Sequence, residues 1–155
     1  MYKEDRFSQE VLRFRVRGTD LFRGREFFSG KNPLGIRCML TSQFQKFVRN
    51  HKEVNIPSGT ISVSQMSAFP VQSGREIAHT LRGNFLYDFA EAIKRVHKKG
   101  LPFKRLIMPI ADQEGRRWLV SAVRDGSGVW RVGLYALSGN WTVVYGVSHS
   151  RRLAF

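Results

Sequence analysis

Residues 11–17 read Val-Leu-Arg-Phe-Arg-Val-Arg, an alternation with period two. It sets Leu12, Phe14 and Val16 on one face of an extended segment and Arg13, Arg15 and Arg17 on the other. The spacing predicts a half-buried strand. At a rise of roughly 3.3 Å per residue, successive guanidinium groups fall about 6.6 to 7 Å apart, close to the phosphate repeat of an extended single strand. Arginine suits that role, because its planar fork takes phosphate bidentately and its face stacks on a base. The competing reading is a solvated strand face whose like charges are tolerated in water. Repulsion along such a face still has to be offset by something.

Charge sharpens the expectation. The 155 residues carry 26 Lys and Arg against 12 Asp and Glu, a formal +14. That excess points to a polyanionic partner: nucleic acid, an anionic membrane surface or an acidic protein. With 42% hydrophobic residues the chain can bury one real core, so a single domain over 1–155 is expected. The amino terminus lacks the apolar run of a signal peptide, and no stretch approaches the roughly 20 apolar residues that span a bilayer. A cytoplasmic protein with no membrane span is the expectation. Cys38 has no partner for an internal disulfide and is read as a buried structural thiol.

Further along, residues 20–28 read as a second strand, paired with the first across Gly18-Thr19 and carrying Arg23 and Arg25. A third, 35–40, carries Arg37 and would extend the same surface. Thr41-Ser42 caps a short helix closing near Asn50, with Phe44, Phe47 and Val48 at helical spacing. Residues 52–70 read as a loop around one strand at 60–64. An amphipathic helix is predicted over 74–99, with Ile77, Leu81, Phe85, Phe89, Ala92, Ile93 and Val96 as its apolar stripe, Ser73 as cap and Gly100-Leu101-Pro102 as stop. Lys94, Arg95, Lys98 and Lys99 complement its negative end, and Glu91 is expected to pair with Arg95. Four apolar segments follow at 103–111, 117–124, 129–137 and 141–147, separated by short runs of turn-forming residues. The fold class expected is α+β: amino-terminal strands with a short helix, a long amphipathic helix, then a four-stranded antiparallel meander.

The meander interleaves aromatics with cations. Trp130, Val132, Leu134 and Ala136 form one face and Arg131 with Tyr135 the other, which makes that pair the candidate for exposed base stacking. Arg151 and Arg152 add a basic tail. Gly24 to Asn32 departs from a phosphate-binding loop, having five residues between its glycines and Asn32 in the magnesium-ligand position. His51, His79, His97 and His149 show no metal spacing, so neither metal nor cofactor is expected.

Two outlines resemble known groups. The chain resembles small helix-plus-meander ribonuclease toxins in architecture, which implies a metal-free ribonuclease with His149, Tyr145 and Arg152 as base, acid and cation. From Leu12 to Arg49, arginine-rich strands, then Gly35-Ile36-Arg37-Cys38-Met39-Leu40-Thr41-Ser42 and an aromatic helix, the chain resembles the single-strand-binding coactivator and Whirly group. That group places its helix after four strands, whereas here the second half opens with a helix. The leading expectation is a non-enzymatic binder of single-stranded DNA or RNA, since no recognition helix, zinc finger or basic zipper is evident. An adaptor or inhibitor docking an acidic protein surface is the third alternative.

Overall fold

The structure, a computed structural model, describes residues 8–29, 34–66, 86–103, 105–111, 117–136 and 144–150. Nine strands and three helices are found among them, a mixed α+β architecture. In chain order these are β1 (Ser8–Val16), β2 (Thr19–Arg23), α1 (Gly24–Phe28), β3 (Cys38–Leu40), α2 (Ser42–Arg49), β4 (Lys52–Ile56), β5 (Gly59–Met66), α3 (Leu86–Lys99), β6 (Arg105–Ala111), β7 (Arg117–Arg124), β8 (Trp130–Ala136) and β9 (Val144–Ser150). Seven strands form one sheet in the order β1-β5-β9-β6-β7-β8-β3, and β2 pairs with β4.

The carboxy-terminal half departs from a four-stranded meander. Strands β6, β7 and β8 are antiparallel neighbours as expected. The fourth strand does not continue beyond β8. Instead β9 lies parallel to β6 and antiparallel to β5, joining the amino-terminal and carboxy-terminal strands into one sheet. Periodicity tells which face of a strand is apolar but not which neighbour it takes. Trp141 and the separator before it lie outside the described residues.

The helices pack on one face of this sheet. In α3, Phe89, Ala92, Ile93 and Val96 are fully buried, in one hydrophobic cluster with Phe14 and Val16 of β1, Ile61 and Val63 of β5, and Val120, Trp130 and Val132 further along the sheet. Residues 74–85, with the expected cap Ser73, lie outside the described residues. The helix closes at Gly100, whose φ of 64° is the left-handed conformation that glycine adopts without penalty. Trp130 donates its indole N–H to Nδ1 of His97 at 3.1 Å, so that nitrogen carries the lone pair. The Arg124 guanidinium lies 5.4 Å from the Trp130 ring and hydrogen-bonds the Leu101 carbonyl, fixing the chain just after the helix. Glu91 pairs with Lys94, one turn away, and not with Arg95. Arg95 instead lies over the Phe14 ring at 4.5 Å, where its charge meets the ring's electron-rich face.

The short helix α2 forms as predicted. The Thr41 hydroxyl accepts the Phe44 N–H at 3.3 Å, and Phe44 and Val48 are buried. The strand expected over 20–28 ends at Arg23. Gly24–Phe28 turns into α1 because Phe27 and Phe28, adjacent in sequence, both belong in the core, which a strand with one buried face cannot arrange. The two rings meet edge-on at 4.9 Å, and Phe28 meets Phe44 at 5.1 Å.

Strand β2 does not fold back on β1. It continues it. The β1–β5 ladder reaches Val16↔Gly59, and the β2–β4 ladder resumes at Thr19↔Ile56 with no residue gained or lost. The two ladders thus form a single long ribbon, interrupted at residues 17–18 and 57–58. Pro57 has no N–H to give there, and Asn55 takes a φ of 53°. At Gly18 the backbones nearly touch: a Cβ would lie 2.3 Å from the Ile56 carbonyl oxygen. On both sides of the break an even-numbered phenylalanine faces α3, while Asp20 between them is exposed. Arg95 covers Phe14, while Phe22 meets the Tyr87 ring at 5.3 Å. Tyr87 also donates its hydroxyl to the Arg17 carbonyl at 3.0 Å, tying α3 to the break.

Candidate nucleic-acid interface

Because Phe14, Val16 and Phe22 turn inward, the odd-numbered arginines of the ribbon face away from α3. Arg13, Arg15, Arg17 and Arg23 are all exposed. Arg13 to Arg23 spans roughly 33 Å at the usual strand rise. Arg23 was expected to reach this surface by pairing with the first strand; it reaches it end to end instead.

One member of the row is partly neutralised. The Arg13 Nε donates to Glu10 Oε1 at 2.7 Å, and the Ser62 hydroxyl donates to the same oxygen at 2.8 Å. A regular strand would set Glu10 and Arg13, three apart, on opposite faces, but a bulge between Glu10 and Leu12 inserts one residue and brings them together. The hydrogen bonds from Arg13 and then Ser62 hold the Glu10 carboxyl below its ordinary range, and Glu10 raises Arg13 in turn. Among the described residues Arg15 and Arg17 have no such partner.

The ribbon leads to a second basic group that sequence reading missed in part. At its far end Arg23, Arg25 and Glu26 meet Arg49, Asn50, His51 and Lys52 around a cleft of about 460 Å³. Arg23 stands directly opposite Lys52 in the ladder, a like-charge pair that costs stability by itself. Among the described residues no carboxylate lies within ion-pair distance of Arg15, Arg17, Arg23, Arg25, Arg49 or Lys52. The nearby acid Glu53 is engaged elsewhere: it binds His51 Nε2 at 2.8 Å and accepts the N–H groups of Leu86 and Tyr87 at 2.7 and 2.9 Å. It thereby complements the positive end of α3. Arg49 and Lys52 could have been found by following the last turn of α2 into the next strand. The weak alternation of Lys52-Glu53-Val54-Asn55-Ile56, with Asn55 left-handed, hid that strand.

A larger, mostly apolar cleft of about 580 Å³ adjoins this one between α1, α2 and β3. Phe28, Cys38, Leu40 and Val48 line it with exposed Met39, and it shares Arg25 and Arg49 with the cationic cleft. Cys38 is half-buried at the cleft and not buried as expected; desolvation still pushes its thiol up to about 12, so it stays protonated at neutral pH.

The remaining expected residues lie apart. Arg37 precedes β3, which pairs with β8 at the opposite edge of the sheet from β1, so it does not extend the surface by pairing with the first strand. Arg131 and Tyr135 are exposed and Trp130, Val132 and Leu134 are buried, as the alternation required. Arg131 approaches Asp125 at 3.5 Å. Asp125 also accepts from Ser127 and Val129 in the turn, and these bonds, the Ser127 hydroxyl foremost, lower its carboxyl. Tyr145 and His149 occupy β9, opposite Gln65 and Ile61, in the interior of the sheet order. Arg151 and Arg152 lie outside the described residues. No helix among the described residues is long and apolar enough to cross a membrane.

No family model, curated protein or solved structure matches the chain.

Proposed function

We propose that this protein binds single-stranded DNA or RNA without cleaving it, with the strand's phosphates tracking along the outward arginines of the ribbon. The observation that carries the reading is the absence of any carboxylate partner, among the described residues, for Arg15, Arg17 and Arg23 on one ribbon face. Exposed cations in a row repel one another, and a polyanion of matching repeat relieves that repulsion. Arginine planes also stack on unpaired bases, which a duplex keeps paired and stacked.

The test is a titration of labelled single strands at several salt concentrations against the Arg13→Gln, Arg15→Gln, Arg17→Gln triple variant. Folding should be unchanged, because all three side chains are exposed. Affinity should drop, and the slope of log K against log salt should flatten by about 2, since each lost phosphate contact on a single strand removes roughly 0.7. Arg15 and Arg17 should account for more of the change than Arg13, which Glu10 already engages. Duplex DNA, whose major groove admits a two-stranded ribbon, is the discriminating competitor. Equal affinity and slope for wild type and variant would remove the ribbon from the binding surface, and tighter binding of duplex would overturn the preference for single strands.

A further inference from the structure

We infer that the two-lobed cleft between α1, α2 and β3 takes one unstacked nucleotide of the bound strand, its base in the apolar lobe and its phosphate on Arg25 and Arg49; this rests on the nucleic-acid reading above. The lobes are distinct in chemistry and share two walls, Arg25 and Arg49. Phe28, Leu40 and Val48 give the larger one an apolar lining, and Gln45 offers an amide that can both donate to and accept from a base edge. Its volume of about 580 Å³ lies in the range of small-molecule sites. Arg25 and Arg49 border both lobes, so a ligand filling the apolar one brings whatever it carries next to them.

Two further observations select the ligand. In the smaller lobe Arg23, Arg25, Arg49 and Lys52 have no ion-pair partner among the described residues, and Glu26 is the one lining carboxylate. Taken alone, that arrangement asks for an anion beside an apolar body. Arg23 then decides which kind, because it belongs both to the ribbon's arginine row and to the cleft. A strand laid along the ribbon arrives at the cleft with a phosphate in reach of Arg25 and Arg49 and the attached base beside the apolar opening. Flipping one base out of the stack costs a few kcal/mol in a duplex and less in a single strand, which favours the same class of ligand.

The experiment is calorimetric titration of the full chain with uridine monophosphate, uridine and inorganic phosphate, repeated with an Arg25→Gln, Arg49→Gln variant and the ribbon triple variant. The monophosphate should bind at least about tenfold more tightly than either fragment. The cleft variant should lose that binding while melting at the wild-type temperature, and the ribbon variant should keep it. An oligothymidylate should displace the monophosphate from wild type. The inference is overturned if phosphate binds as well as the monophosphate, if the ribbon variant loses the monophosphate as fully as the cleft variant, or if both ligands bind together. Failure of the monophosphate to bind while the oligonucleotide still binds removes the cleft alone; failure of both removes the binding function with it.

Discussion

Phe89→Ala is expected to lower the free energy of unfolding by about 3 to 5 kcal/mol, the range for emptying a core phenylalanine site. Phe89 is fully buried in the first turn of α3, between the helix and the sheet. Its neighbours Ala90, Ala92 and Ile93 are equally buried and held by the same helix, so they cannot collapse far into the cavity. A loss of that size is a large share of the roughly 5 to 15 kcal/mol that holds an ordinary domain together. Glu91 is the control. It is partly exposed and pairs with Lys94, which also lies 5.7 Å from the Phe27 ring, so Glu91→Ala should cost about 1 kcal/mol or less. Thermal and urea melts of both variants check the contrast. Two mild losses would show that α3 does not pack on the sheet as described, and the division of β1 into core and outward faces would lose its basis.

That division was legible in the sequence wherever one face is apolar and the other charged. Arg13-Phe14-Arg15-Val16 and Trp130-Arg131-Val132 announce both their strands and their faces, because burial of alternate residues is a local demand. The cap at Thr41 and the stop at Gly100 are local too. What escaped was pairing and partnership. Gly18-Thr19 has the composition of a turn, yet the chain passes straight through it, and glycine serves close approach to a facing strand instead of reversal. The adjacent phenylalanines 27 and 28 break the period that would continue a strand, a signal present in the sequence. The basic cleft needed Arg23 and Lys52 to face each other, 29 positions apart, which no local pattern encodes. Likewise β9 takes β5 and β6 as neighbours across long stretches of chain, a choice set by the topology of the sheet.

Replacing Gly18 by alanine is expected to damage both stability and binding although it removes no charge. The added Cβ would lie 2.3 Å from the Ile56 oxygen, 2.8 Å from the Ser58 nitrogen and 2.9 Å from the Pro57 carbonyl carbon, all backbone atoms of the facing strand. No flexible side chain is there to give way, so the strands must part. Overpacking of this kind typically costs about 1 to 3 kcal/mol, and the break lies where Tyr87 ties α3 to the Arg17 carbonyl, so the disturbance reaches the helix. Gly126, in the turn after β7, supplies the contrast: a Cβ there meets nothing within 4 Å, and Gly126→Ala should change stability by no more than about 0.5 kcal/mol. The same substitution tests the site. Parting the strands at residue 18 uncouples Arg13, Arg15 and Arg17 from Arg23 and the basic cleft, so a strand bound across both loses contacts with one. Affinity for single strands should fall and the salt slope flatten in Gly18→Ala, with Gly126→Ala unchanged. If Gly18→Ala is destabilised yet binds with wild-type affinity and slope, the continuity of the ribbon serves folding alone, and the path of the nucleic acid does not cross the break.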